Sequence, residues 1–88
     1  MSTLVESLPS VGYADGIVRV EFPGGASLQF PVRGNRRLAG GTPEELSRME
    51  VSQFGIHWPA LDEDLSFEGL ARGDYGQDAS HALVAENA

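Results

Sequence analysis

The stretch Val11–Val32, VGYADGIVRVEFPGGASLQFPV, reads as three short strands joined by two tight turns. Asp15-Gly16 and Pro23-Gly24-Gly25 are hairpin signals, because the turns that match strand twist need residues tolerant of positive φ. Between them Ile17, Val18, Val20 and Phe22 supply β-branched and aromatic side chains with partial alternation, and Leu28, Phe30 and Val32 alternate with Ser27, Gln29 and Pro31. This pattern predicts an antiparallel meander with Leu28, Phe30 and Val32 facing the core. Pro31 has no N–H to give to a ladder, so the third run should lie at a sheet edge or end there, leaving an outer side open to a partner strand.

Beyond the meander, residues 34–41, GNRRLAGG, contain three glycines and no sustained period. They suit a loop or one short helical turn that exposes Arg36 and Arg37. TPEELSRM then carries a helix start: Thr42 as N-cap, Pro43 at the first helical position and Glu45 placed to complete a capping box. Leu46 and Met49 would share its buried side. Met49, Val51, Phe54, Ile56 and Trp58 return to strand spacing around Ser52-Gln53, which predicts a second hairpin ending at Pro59. The acidic stretch Asp62-Glu63-Asp64 leads into SFEGLAR, a second short helix with Ser66 as N-cap and with Leu65, Phe67 and Leu70 closing the core. Past Gly73 the chain allows at most a short helix beginning near Asp78 or Ser80. The expected organisation is an N-terminal arm over residues 1–10, one α+β domain over residues 11–73 and an acidic, flexible tail over residues 74–88. The fold class is α+β, a small antiparallel sheet of hairpins with about four to five short strands and one or two short helices packed on it.

Composition narrows the function. A chain of 88 residues suits one domain, burying on folding roughly 60% of the surface its unfolded form exposes. Only 8% of it is aromatic, so Trp58 and the four phenylalanines are the expected core anchors. The absence of cysteine excludes disulfides, thiolate metal sites and cysteine nucleophiles. No apolar run approaches the roughly 18 residues of a membrane span, and MSTLVESLPS lacks the basic start and apolar core of a secretory signal, so a cytoplasmic protein is expected. The net charge of −7 is uneven: −1 falls on residues 1–61 and −6 on residues 62–88, where Arg72 is the sole basic residue. Such a surface repels phosphate backbones and membranes of like charge and attracts basic proteins.

The second half carries a resemblance. The helix start Thr42-Pro43-Glu44-Glu45, the run Gly55-Ile56-His57-Trp58-Pro59, the turn Leu61-Asp62-Glu63-Asp64 and the segment from Ser66 to Gly73 are similar, in kind and order, to the signature of the small bacterial family DUF2442. Residues 42–73 resemble it by motif and residues 11–41 by pattern. The resemblance implies a short antiparallel sheet with one or two short helices and no established catalytic activity. It also implies a gene neighbourhood shared with another uncharacterised family, DUF4160, in an arrangement that looks like a toxin and antitoxin pair.

Each residue that could carry chemistry also has a plain structural reading. Trp58 reads as a half-buried anchor whose indole N–H finds a carbonyl, or else as an aromatic hot spot. His57 should face away from Ile56 and Trp58, as an exposed polar strand residue; catalysis would need an aligned partner, and the nearby candidates are Asp62, Glu63 and Asp64. These acids read as carboxylates at the positive end of a helix, as a partner-facing patch or, remotely, as a hard-metal cluster with His57 that would make the chain a small metal-binding enzyme. Their spacing matches no known metal loop, and no nucleophile elbow surrounds any serine. Arg36 and Arg37 read as contacts to phosphate, to the acidic third of the same domain or to a neighbouring copy. The function expected from this balance is a non-enzymatic protein-interaction module without cofactor or metal. It would bind a basic protein partner through His57, Asp62, Glu63, Asp64, Glu68, Arg36 and Arg37, antitoxin-like in a two-gene system, with a homodimer also open. The alternative is an acidic, nucleic-acid-mimicking inhibitor of the phage or anti-CRISPR kind.

Overall fold

The computed structural model describes residues 8–76. Strands β1 (Ser10–Ala14), β2 (Ile17–Glu21) and β3 (Ser27–Pro31) form the meander in that order. Asp15 and Gly16 take φ of 52° and 82°, the left-handed pair that an Asp-Gly hairpin turn requires. In the register of this sheet Val18 lies opposite Tyr13 and Phe30, and Val20 opposite Val11 and Leu28. Those two rows face inward; Val18, Val20 and Phe30 are buried. Pro31 closes β3 at the sheet edge, as its missing N–H predicts.

A 3-10 turn (Val32–Gly34) then delivers the chain to α1 (Arg36–Ala39), so the glycine-rich segment is one helical turn with Arg36 and Arg37 exposed and Leu38 buried. Helix α2 (Pro43–Ser47) has the full capping box: Glu45 N donates to Thr42 Oγ1 at 3.1 Å and Thr42 N donates to Glu45 Oε1 at 3.0 Å. Strands β4 (Glu50–Val51), β5 (Gly55–Trp58) and β6 (Glu63–Ser66) make a second antiparallel sheet, and α3 (Phe67–Ala71) follows, capped by Ser66. The fold is therefore α+β, with its strands in two three-stranded sheets and with three short α-helices among the described residues.

The two sheets and the helices share one core. Ile56 and Trp58 of β5, Leu65 of β6, Leu46 of α2, Leu38 of α1 and Leu70 of α3 pack with the inner rows of the first sheet. Trp58 is fully buried, and its Nε1–H donates to the Leu46 carbonyl at 3.0 Å, the polar partner that an enclosed indole needs. Phe22 meets Phe67 edge to face, with centroids 5.6 Å apart, which ties the first sheet to α3.

Two expectations change. The acids 62–64 were expected to form a turn before a helix, yet Glu63 and Asp64 lie in β6, because Glu63-Asp64-Leu65-Ser66 alternates inward and outward against β5. Phe54 was expected in the core with the other phenylalanines but is 76% exposed, at the turn joining β4 to β5. The arm expected over residues 1–10 falls outside the described residues up to residue 7, and Ser10 already belongs to β1. The tail expected over residues 74–88, with its short helix, falls outside them from residue 77; before that point Tyr75 stacks on Phe30 at 5.2 Å.

Candidate functional site

Strand β5 alternates Ile56 and Trp58 inward with Gly55 and His57 outward, so His57 stands on the outer face of the second sheet, as its position predicts. Glu50 of β4 and Asp64 of β6 are its cross-strand partners. Paired residues share a face, so Glu50, His57 and Asp64 form one row across three strands, with the two carboxylate-bearing positions roughly 10 Å apart. His57 Nδ1 lies 2.7 Å from Asp64 Oδ1, while the Asp64 side chain remains 79% exposed. Among the described residues Glu50 has no ion pair.

Beside this row lies an open cleft of about 330 Å³ lined by Glu50, Phe54, Gly55, His57, Asp64 and Ser66 together with Val51, Ser52, Ile56 and Leu65. Phe54 is presented from a hydrogen-bonded backbone. Its N–H donates to Ser52 Oγ at 3.1 Å, and its carbonyl accepts from Phe67 N at 2.8 Å, so the backbone is held on both sides while the ring stays in solvent. Gly55 is required next to it: a Cβ there would run into the Leu65 carbonyl oxygen and sit 2.9 Å from Ser66 Cα. The close approach of β5 to β6 that shapes the cleft therefore depends on this glycine.

The remaining predicted site residues are drawn elsewhere. Asp62 sits at the β5–β6 turn with φ of 53°, where Arg37 Nη1 donates to its carbonyl at 2.7 Å and lies 3.3 Å from its Oδ2. Glu63 points inward: its Oε2 accepts from Asn35 Nδ2 at 2.7 Å and its Oε1 from Asp64 N at 3.2 Å. Glu68 pairs with Arg72 one turn along α3, at 3.3 Å. Arg36 lies exposed on α1. Three successive acids thus point three ways, and only Asp64 shares a face with His57. Among the described residues, no group of three His, Asp or Glu side chains is arranged to hold a metal ion.

Three residues escaped the sequence reading. Glu50 was visible only as the residue before Val51 in a strand of two. Phe54 had a signal in its position directly after Ser52-Gln53, at a turn, but aromatic scarcity argued for the core. Asn35, 1% exposed, is the third: its Oδ1 caps α1 by accepting from Arg37 N and Leu38 N, while its Nδ2 donates to Glu63 and, at 2.9 Å, to the Tyr75 carbonyl. An asparagine before a helical turn is a recognisable cap, but its distant partners are not local in sequence.

Comparison with known proteins places these features in a family. A family model described as "Protein of unknown function (DUF2442)" matches residues 9–76. A crystal structure of a protein of unknown function from Rhodospirillum rubrum superposes with a TM-score of 0.69 at 33% identity, covering 81% of this chain and 94% of that one. The solution structure of an uncharacterized protein from Chromobacterium violaceum superposes with a TM-score of 0.70 at 29% identity, covering 91% of this chain and 80% of that one. No curated protein matches the chain. Among the described residues no helix is long and apolar enough to cross a membrane.

Proposed function

The chain belongs to that family, DUF2442, whose function is unknown, and from this premise we propose that it is a non-enzymatic interaction module that docks a basic protein on the outer face of its second sheet. The observation that carries the reading is Phe54, 76% exposed on a backbone fixed from both sides. Exposing a ring of this size to water is unfavourable, and an aromatic side chain with only two rotatable bonds on a held backbone loses little conformational freedom when a partner covers it. Glu50 and Asp64 beside it concentrate on this face two of the acids behind the chain's net charge of −7. Complementary charge steers a basic partner to this face, and the aromatic ring then supplies the anchor.

In the two-gene arrangement that the family resemblance implies, the module is the antitoxin-like member and acts in the cytoplasm on a basic partner. The divergence of Asp62, Glu63 and Asp64 favours this over nucleic-acid mimicry, which needs a continuous row of anions. Co-expression with basic candidates, including the product of the neighbouring gene, tests it. A complex at micromolar concentration is expected, and Phe54→Ser should weaken it by about 30-fold, the loss typical of a hot-spot aromatic. Absence of any complex, or one indifferent to Phe54, refutes the reading.

A further inference from the structure

We infer that the cleft beside Phe54 receives an arginine side chain of the partner, which is a specification of the docking reading above and rests on it. The lining offers a guanidinium two kinds of contact. Phe54 presents an exposed π-face, and arginine stacks on such faces better than lysine because its cation is planar and weakly hydrated. Glu50 and Asp64 flank His57 in register, one strand to each side. A guanidinium lying over His57 is roughly 5 Å from either neighbouring strand, within reach of both carboxylates. His57 occupies one oxygen of Asp64, which leaves the other oxygen and the whole Glu50 carboxylate to accept.

The alternative occupants carry the wrong charge. A second copy brings the same −7, and residues 74–88 contain Asp74, Asp78 and Glu86 with no arginine or lysine. Four of the six arginines are engaged away from the cleft: Arg37 on Asp62, Arg48 on Glu44, Arg72 on Glu68 and Arg19 on Glu21. The cleft is therefore an acidic and aromatic receptor to which this chain itself offers no matching cation among those four.

The test is a titration of the full isotope-labelled chain, followed by amide chemical shifts, with N-acetyl-Gly-Arg-Gly-amide and with the isosteric citrulline peptide, which keeps the shape and loses the charge. Saturable shifts centred on Glu50, Phe54, His57 and Asp64 are expected at millimolar peptide, about fivefold weaker for citrulline, for Phe54→Ala and for the double variant E50Q/D64N. Retained dispersion of the other amides shows that each variant is folded. Equal binding of the citrulline peptide, shifts centred elsewhere, no shift up to about 20 mM peptide, or a Phe54-dependent dimer in sedimentation would each overturn the inference. If the arginine peptide fails while Phe54→Ser still costs the partner complex, the arginine assignment alone falls. If no partner binds yet the peptide does, the recognition chemistry stands and the partner reading falls.

Discussion

Asn35→Ala removes one small side chain and, by the geometry around it, should cost this domain a large part of its stability. The Asn35 Oδ1 caps α1 by accepting from Arg37 N and Leu38 N at 3.0 and 3.1 Å, a contribution of about 1 kcal/mol. Its Nδ2 donates to Glu63 Oε2 at 2.7 Å and to the Tyr75 carbonyl at 2.9 Å. Each acceptor stripped of its donor adds roughly 1–3 kcal/mol if it stays away from water. Glu63 is only partly buried and can turn outward, which places the total near the lower end, about 3 kcal/mol. For a domain of this length, whose stability is typically about 4–13 kcal/mol, that lowers the melting temperature by on the order of 15 °C. Urea unfolding followed by the fluorescence of Trp58, the single tryptophan, measures it. Asn35→Asp separates the two roles, because aspartate keeps the capping oxygen but faces Glu63 with a second carboxylate. It should be no more stable than Asn35→Ala. An Asn35→Asp variant within about 0.5 kcal/mol of the parent would show that the cap alone matters and would refute the proposed link between α1, β6 and Tyr75.

Other substitutions sort the fold from the surface. Trp58→Phe strands the Leu46 carbonyl in the core and should cost about 1–3 kcal/mol, read by calorimetry because the fluorophore is lost. Gly55→Ala, whose Cβ meets the Leu65 carbonyl, should destabilise by about 1–3 kcal/mol in urea unfolding and loosen the pairing of β5 with β6, seen as faster amide exchange at Ile56 and Leu65. Thr42→Ala breaks the capping box of α2 and should cost about 1 kcal/mol by the same urea titration. Glu68→Gln breaks only an exposed pair with Arg72 and should change stability by less than about 0.5 kcal/mol in thermal unfolding.

Local chemistry made the first sheet and the helix starts legible. Asp15-Gly16 carries its turn type in its residues, Thr42 to Glu45 carries both halves of a reciprocal cap, and Trp58 between Ile56 and Pro59 marks a core strand, although the sequence suggests a half-buried ring and the fold encloses it fully. What escaped was decided by contacts distant in sequence. Strand β6 has one apolar inward residue, Leu65; its other inward residue is Glu63, acceptable there because Asn35, 28 positions earlier, supplies a donor. Without that donor in view, three acids read as a turn. Phe54 was misplaced for the opposite reason: its type favours the core, but Ser52 and Phe67 fix its backbone at the end of a hairpin, where the ring has nothing to pack under. Of the candidate site, His57 and Asp64 could be named from sequence, but Glu50 required the register of β4 on β5 and Phe54 the turn that joins them.

That register also explains how one small motif can specify a fold and still leave residues free for binding. Period-two alternation assigns Ile56, Trp58, Glu63 and Leu65 to the interior, where each is committed to packing or to Asn35. The same alternation places Glu50, His57, Asp64 and Ser66 outside; Ser66 is committed to capping α3 through the Gly69 N–H, whereas the side chains of Glu50, His57 and Asp64 make no hydrogen bond to a buried group among the described residues. Charge changes on the outer row should therefore alter association at little cost in stability, whereas equal changes on the inner row should destabilise the fold. The two classes sit one residue apart, at Glu63 and Asp64. A comparison of Glu63→Gln with Asp64→Asn thus opposes stability to binding at adjacent positions. The first replaces a charge-assisted acceptor of Asn35 by a neutral one and should cost roughly 1 kcal/mol of stability, while the second should leave unfolding within about 0.5 kcal/mol and weaken the basic partner. If Asp64→Asn proved the more destabilising of the two, the division of labour between the faces of this sheet would be wrong.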